Sequence, residues 1–223
     1  MPSAPRQLAL ALEHAESFAR EDFLSGASNA AALALVDSWP AWPHRTVMLT
    51  GPAGSGKSHL AAVWAQAAGA RLVAAHALDE AGVPRALATG ALVVEEVAPG
   101  AFDERALFHL LNLAREEQAF VLLTARSAAL DCAIRDLESR LRALPLVVIS
   151  PPDEALLRAL LVKLFSDRQV AVDESLIGYV AMRIERSFAA ARAAVARLDD
   201  EAMRRKRPLT RALAAEILRV PEA

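Results

Sequence analysis

Cysteine, aromatic residues and any excess of charge of one sign are scarce in this sequence. Its 223 residues hold a single cysteine, Cys132, a single tyrosine, and 5% aromatic residues overall. One thiol excludes an internal disulfide framework and suits a reducing compartment. Cys132 itself reads as a small, buried or half-buried hydrophobe. The formal net charge is −2, so no overall basic field draws the chain onto nucleic acid, although a local DNA contact stays open. No run of 18 apolar residues occurs, and no basic region followed by an apolar core opens the chain. A membrane span and a secretory leader are therefore not expected, and the cytosol is the expected compartment. The histidines His14, His44, His59, His76 and His109 show no metal-ligand spacing. No Ser-His-Asp or Cys-His arrangement can be built either.

What is present is apolar and patterned. Hydrophobic residues make up 54% and charged residues 23%, a globular balance rich in helix-favouring alanine. The organising stretch is Gly51-Pro52-Ala53-Gly54-Ser55-Gly56-Lys57-Ser58, which fits G-x-x-x-x-G-K-[ST] at every fixed position. It follows the apolar run Thr46–Thr50 and opens into a helical pattern from His59 to Ala68. Strand, glycine loop and helix together form a phosphate cradle, in which backbone N–H groups converge and the helix N-terminus adds partial positive charge. Lys57 would reach the β- and γ-phosphates of a bound ATP, or the β-phosphate of ADP, and the Ser58 hydroxyl would hold Mg²⁺.

Beyond the loop, strand-like and helix-like segments alternate. Residues 71–75, 91–97, 120–124 and 146–149 read as strands, and 103–117 as an amphipathic helix with Leu107, Leu110, Leu111 and Ala114 on one face. Near-continuous apolar strands between helices predict a parallel sheet covered on both faces, an α/β class. Upstream, Gly26–Asn29 signals a turn or cap before an alanine-rich helix over 30–38, which Trp39-Pro40-Ala41-Trp42-Pro43 ends. After Ser150-Pro151-Pro152-Asp153 no strand is expected. Helices are predicted at about 153–167, 173–185, 187–205 and 210–219, with Asp153, Asp173 and Thr210 as N-caps. The resulting division is an N-terminal tail over 1–16, an α/β nucleotide-binding domain over 17–150, and a helical domain over 151–223. For the tail, a strand, a helix start and an extended segment all fit.

Several residues carry possible chemistry. Glu95 and Glu96 end a buried strand where a P-loop NTPase places its metal and water carboxylates, Glu95 toward Mg²⁺ and Glu96 toward the attacking water. Thr124 ends the next strand and can hydrogen-bond a γ-phosphate or its water. Arg140, within Asp136–Arg142, reads on its own residues as an ion pair with Asp136 or Glu138. Arg186 and Arg192 either contact nucleotide from the helical domain or face solvent. Arg204-Arg205-Lys206-Arg207 suits a helix C-terminus better than a DNA contact.

The order of these parts resembles an AAA+ ATPase: phosphate loop, acidic strand end, strand-terminal Thr, arginine before the last strand, then a helical lid. More narrowly it is similar to the core of the replication initiator DnaA, through Ser17-Phe18…Phe23, Gly26–Asn29, Phe108-His109-Leu110-Leu111-Asn112-Leu113 and Leu137-Glu138-Ser139-Arg140-Leu141, leading into Ile149–Pro152. A DnaA-like core without a DNA-binding domain is what the DnaA-inactivating Hda family looks like. That family begins with a Gln-Leu-x-Leu-x-Leu sliding-clamp motif, matched by Gln7-Leu8-Ala9-Leu10-Ala11-Leu12. The resemblance implies a cytoplasmic, replisome-associated regulator that binds the DNA polymerase sliding clamp through Gln7, Leu8, Leu10 and Leu12 and triggers hydrolysis of ATP on DnaA. It further implies DNA contact through the clamp, an arginine finger at Arg140, ATP or ADP held by residues 51–58, His59 and a lid arginine such as Arg192, weak hydrolysis of its own, and nucleotide-dependent self-association. The family's lid arginine falls at Ala189 here, between Arg186 and Arg192. A helicase loader or adaptor of the DnaC or transposition-helper type, or a nucleotide-stabilised scaffold at the clamp, would share the core.

Overall fold

The computed structural model describes residues 18–218. Five strands, β1 (Thr46–Thr50), β2 (Arg71–Ala74), β3 (Ala91–Val97), β4 (Phe120–Ala125) and β5 (Leu146–Val148), form one sheet in the order β2-β3-β4-β1-β5. Every pairing is parallel. Around the sheet lie α1 (Ala30–Asp37), α2 (Lys57–Ala68), α3 (Val83–Leu87), α4 (Glu104–Glu116) and α5 (Arg135–Ala143). Strand side chains alternate between two faces. Met48, Leu92, Val94, Val121 and Leu123 join the core under α3, α4 and α5. Val47, Leu49, Val93 and Leu122 join the core under α1 and α2. Both faces are buried, which is why the central strands read as unbroken apolar runs. Each fully buried Leu or Val contributes about 1.5–3 kcal/mol relative to exposure.

The second unit is all helical: α6 (Glu154–Asp167), α7 (Glu174–Ala181), α8 (Phe188–Arg205) and α9 (Arg211–Ile217). It has its own core, including Leu161, Phe165, Leu176, Val180, Val195, Leu198 and Leu213. Asp153, Asp173 and Thr210 cap their helices by accepting backbone N–H bonds from Leu156, Leu176 and Leu213. α7 ends at Ala181, four residues before the predicted boundary, because residues 182–187 form the turn that lets Ser187 cap α8. Arg186 therefore precedes α8 and lies in that turn.

Two helices carried no sequence signal. α3 is five residues long with Pro84 in its first turn. α5 buries only Leu137 and Leu141, one narrow i, i+4 stripe in a charged segment. No helix among the described residues is long and apolar enough to cross a membrane. The tail over 1–16, with Gln7, Leu8, Leu10 and Leu12, lies outside the described residues.

Candidate nucleotide-binding site

The phosphate loop begins where β1 ends, at the carboxyl edge of the sheet. The Gly51 N–H donates to the Ala125 carbonyl (3.3 Å), tying the loop's first residue to the end of β4. Gly51, Gly54 and Gly56 have φ of 157°, 68° and 96°. The latter two sit in the left-handed region that favours glycine. Gly54 also meets the lid: its carbonyl accepts the Phe188 N–H (3.1 Å), and a Cβ there would stand 2.5 Å from Ala189 Cβ. α2 starts at Lys57, so its free N–H groups point into the space above the loop.

That space is a cavity of about 590 Å³. Residues 53–58, His59, Glu96, Thr124 and Arg192, all expected site residues, line it. Gly51 and Pro52 touch it indirectly, since their carbonyls accept hydrogen bonds from Lys57 Nζ at 2.7 and 2.8 Å. Burial pushes the Lys57 amine below its ordinary value and the nearby Arg126 adds to this, while Glu96 and Glu95 act the other way. An anion entering the cavity would offset that cost by stabilising the charged ammonium. The Ser55 hydroxyl is buried without a hydrogen-bond partner among the described residues, a further polar group available at the cradle.

The two acids separate. β3 pairs Val94 with Leu123 and Val97 with Ala125, so Glu95 and Glu96 together oppose Thr124 in a β-bulge. Glu96 takes φ 60°, and its N–H donates to Thr124 Oγ1 (3.1 Å). A non-glycine residue there costs about 1–2 kcal/mol of backbone strain, which the Thr124 bond helps to offset. The bulge turns Glu96 onto the cavity wall. Glu95 does not line the cavity; it sits beside β2, half-buried, with Oε1 lacking a hydrogen-bond partner among the described residues. Ser58 and Glu96 line the cavity, so a Mg²⁺ bound there with phosphate oxygens would draw on them, whereas Glu95, the acid expected to face the metal, stands off that wall.

His59 has a second role. Its Nε2 lies 3.0 Å from the Ala19 carbonyl, and its ring makes edge contacts with Phe18 and Phe23, centroids 5.5 and 5.3 Å away. Residues 18–24 thus form a strap over the start of α2. Phe23 abuts Gly56, Leu24 packs against the lid core, and Asp22 pairs with Lys163 of α6 at 2.8 Å. Phe18, 40% exposed and on the cavity wall, presents an aromatic face to any ring bound there. Phe18, His76 and Arg126 are cavity residues to which the sequence reading gave no site role, because they come from three separate segments.

No family model matches the sequence, and no curated protein matches it. Solved structures do. Domain III of the Thermotoga maritima replication initiation protein DnaA superposes with TM-score 0.71 at 17% identity, covering 90% of this chain and 95% of that one. AMPPCP-bound DnaA from Aquifex aeolicus gives 0.65 at 19%, covering 84% and 67%. The Thermotoga maritima RuvB Holliday junction branch migration motor gives 0.66 at 21%, covering 86% and 68%. The fold is that of an AAA+ ATPase module. At these identities the likeness is one of fold.

Within that module the lid departs from the expected pattern. Ala189, where the AAA+ resemblance puts a sensing arginine, lies against Gly54 of the phosphate loop. Arg192, one helical turn further along α8, lies on the cavity wall instead, and Arg186 does not reach it. Ser187 sets this geometry by accepting the Ala190 N–H (3.0 Å) at the head of α8. Ser187→Ala is expected to cost about 1 kcal/mol, read as a lowered denaturation midpoint with an unchanged slope.

Arg140 is far from all of this. It lines a separate groove of about 550 Å³ at the amino edge of β1, between α4 and α5. Its guanidinium hydrogen-bonds Asn112, pairs with Asp136 (2.9 Å) and stacks over Phe108, 4.6 Å from the ring centroid. The ion pair expected from the local sequence is present, with Asp136 rather than Glu138, which pairs with Arg142.

Proposed function

We propose that this chain is a nucleotide-binding AAA+ regulator of replication initiation, recruited by the sliding clamp through Gln7–Leu12, that stimulates hydrolysis of ATP bound to DnaA. One observation carries the reading: Arg140 is fixed by three partners, remains partly exposed, and lies outside its own chain's nucleotide cavity. An arginine so placed has no phosphate to serve in cis. Docked against a neighbouring ATPase module it can meet the γ-phosphate there, a contribution of about 10³-fold or more in rate. The fold likeness to DnaA makes a DnaA-type module the neighbour in this reading. The nucleotide held by residues 51–58, with Mg²⁺ at Ser58 and Glu96, then acts chiefly to hold loop, strap and lid together.

Phosphate release from ATP-loaded DnaA, with clamp on DNA, tests this. Wild type is expected to accelerate release, Arg140→Ala to lose at least tenfold of that stimulation, and deletion of residues 7–12 to lose it at low protein concentration. Stimulation that survives Arg140→Ala would sink the trans-arginine role. Clamp binding without any stimulation would leave a scaffold at the clamp, and neither activity would turn attention to a helicase loader.

A further inference from the structure

The groove beside Arg140 opens at the amino edge of the sheet and shares no lining residue with the nucleotide cavity at the carboxyl edge. Arg45, Arg115 and Arg140 reach it from three separate elements, and no carboxylate of the described residues lines it. Asp136 answers Arg140, but no carboxylate of the described residues pairs with Arg45 or Arg115. Arg45 is positioned without one. Its carbonyl accepts the Val121 N–H (2.8 Å), and its guanidinium lies over the Phe120 ring, 4.7 Å from the centroid. That contact fixes the plane and leaves the N–H fork open. Arg115 and Arg140 lie in last turns of helices, where a cation suits the dipole. Arg45 ends no helix, so the dipoles do not account for the set.

An apolar strip continues from the groove. Leu144 and Pro145 on its wall lead into β5, an edge strand with β1 as its one neighbour among the described residues. The Pro145 carbonyl and the Ile149 N–H bond to β1, so strand alternation turns the N–H and C=O of Leu146 and Val148 outward. Their side chains are 44% and 54% exposed. Leu146 pairs with Met48, which places both on the sheet face that carries α4 and α5. Within the strand there is no lysine, proline or bulge of the kind that blunts an edge.

We propose that groove and edge together dock an extended acidic segment of a partner protein, which adds to β5 as a further strand and lays its carboxylates on Arg45 and Arg115. The inference is independent of nucleotide binding and of the trans role of Arg140. Backbone hydrogen bonds to the edge give such a segment its register, and its apolar side chains cover Leu146 and Val148. Its continuation past Leu146 enters the groove, where a guanidinium fork holds both oxygens of a carboxylate. A phosphodiester backbone would meet the arginines too. It would leave the outward amides of β5 and the apolar groove wall of Leu111, Ala114 and Leu144 without a match, so a peptide is the better fit.

The test is a fluorescence-anisotropy titration of the full chain with a labelled Leu-Glu-Leu-Glu-Leu-Glu peptide, beside its Leu-Gln-Leu-Gln-Leu-Gln counterpart and a short oligothymidylate. The acidic peptide is expected to bind at least about tenfold more tightly than the Gln peptide. Arg45→Ala and Arg115→Ala each weaken it about threefold to tenfold, and Val148→Glu, which sets a like charge on the edge, by at least as much. Arg45→Lys recovers part of the loss, as a charge without the fork. Arg142→Ala, on α5 but outside the groove and paired with Glu138, leaves binding unchanged. All the substituted side chains are exposed, so melting temperatures stay near the wild-type value, which separates a docking loss from misfolding. No binding at about 1 mM peptide, or equal binding of the Glu and Gln peptides, overturns the assignment. So does binding that Arg45→Ala and Arg115→Ala leave intact. Oligothymidylate that binds as tightly, with the same arginine dependence, overturns it in favour of a nucleic-acid surface. Affinity that rises severalfold when residues 7–12 are deleted shows the chain's own tail in the groove and overturns the partner as its occupant.

Discussion

Gly54→Ala is expected to cut nucleotide affinity by about 30- to 150-fold, the equivalent of roughly 2–3 kcal/mol. Two costs combine. The left-handed φ of 68° charges any Cβ about 1–2 kcal/mol. The new methyl would also lie 2.5 Å from Ala189 Cβ and 2.9 Å from Ala189 N, closer than packed atoms come, so loop or lid must shift. The displaced group on one side is backbone and cannot rotate away. Gly69 supplies the control: its φ is 62°, yet a Cβ there meets nothing within 4 Å. Gly69→Ala therefore reports backbone strain alone, and the difference between the two variants reports the loop–lid contact. Both would be titrated with ADP and melted without it. If Gly54→Ala tracks Gly69→Ala in both measurements, the contact between Gly54 and Ala189 has no part in holding nucleotide.

Trp64→Ala is expected to destabilise the chain by about 3–5 kcal/mol, a large share of the roughly 5–15 kcal/mol available to a typical domain. Trp64 is fully buried on α2, stacked on Trp42 with centroids 4.8 Å apart, and Trp42 is pinned by its own bond to the Leu35 carbonyl (2.7 Å). The pair seats the loop helix against α1 and the sheet. Trp64 Nε1 is buried with no hydrogen-bond partner among the described residues. A buried unpaired N–H costs about 1–3 kcal/mol, so Trp64→Phe removes a penalty along with volume. Phenylalanine should cost less than half of what alanine does. Urea midpoints of the two variants check this. Equal destabilisation by Phe and Ala would mean that the indole nitrogen is satisfied.

Much of this was legible in the residues, and the reason is periodicity. β1 and β3 begin and end where their apolar runs do. α4 follows its i, i+3, i+4 stripe between the Asp103 cap and Glu117. Where periodicity is thin, the reading failed: α5 offers two buried leucines, and α3 is barely a turn and a half. The loop motif located most of the site because its spacing encodes a backbone shape. The pair Glu95–Glu96 did not disclose which acid faces the cavity, since that depends on a bulge opposite Thr124, a matter of register between strands. Phe18, His76 and Arg126 arrive at the cavity from three separate segments, and such convergence leaves no mark along the chain. Ala189 and Arg192 show the same limit: one turn of helix decides which of them packs on Gly54 and which lines the cavity.

The strap has a consequence for how the protein is made. Phe18–Leu24 leaves the ribosome ahead of every other described residue, yet Asp22 finds its partner in Lys163, 141 positions later. Burial opposes the Lys163 charge, and the carboxylates of Asp167 and Asp22 outweigh it, holding the ammonium above its ordinary value. At about 5–20 residues per second, that interval is roughly 7–30 s of synthesis. The sheet is complete only once β5 has been made, near the end of that interval, and until α6 follows the strap lacks its contacts with the helical unit. The nucleotide cavity therefore closes last, when the final quarter of the chain emerges, and a nascent chain interrupted before α6 carries an intact loop motif with no finished site around it.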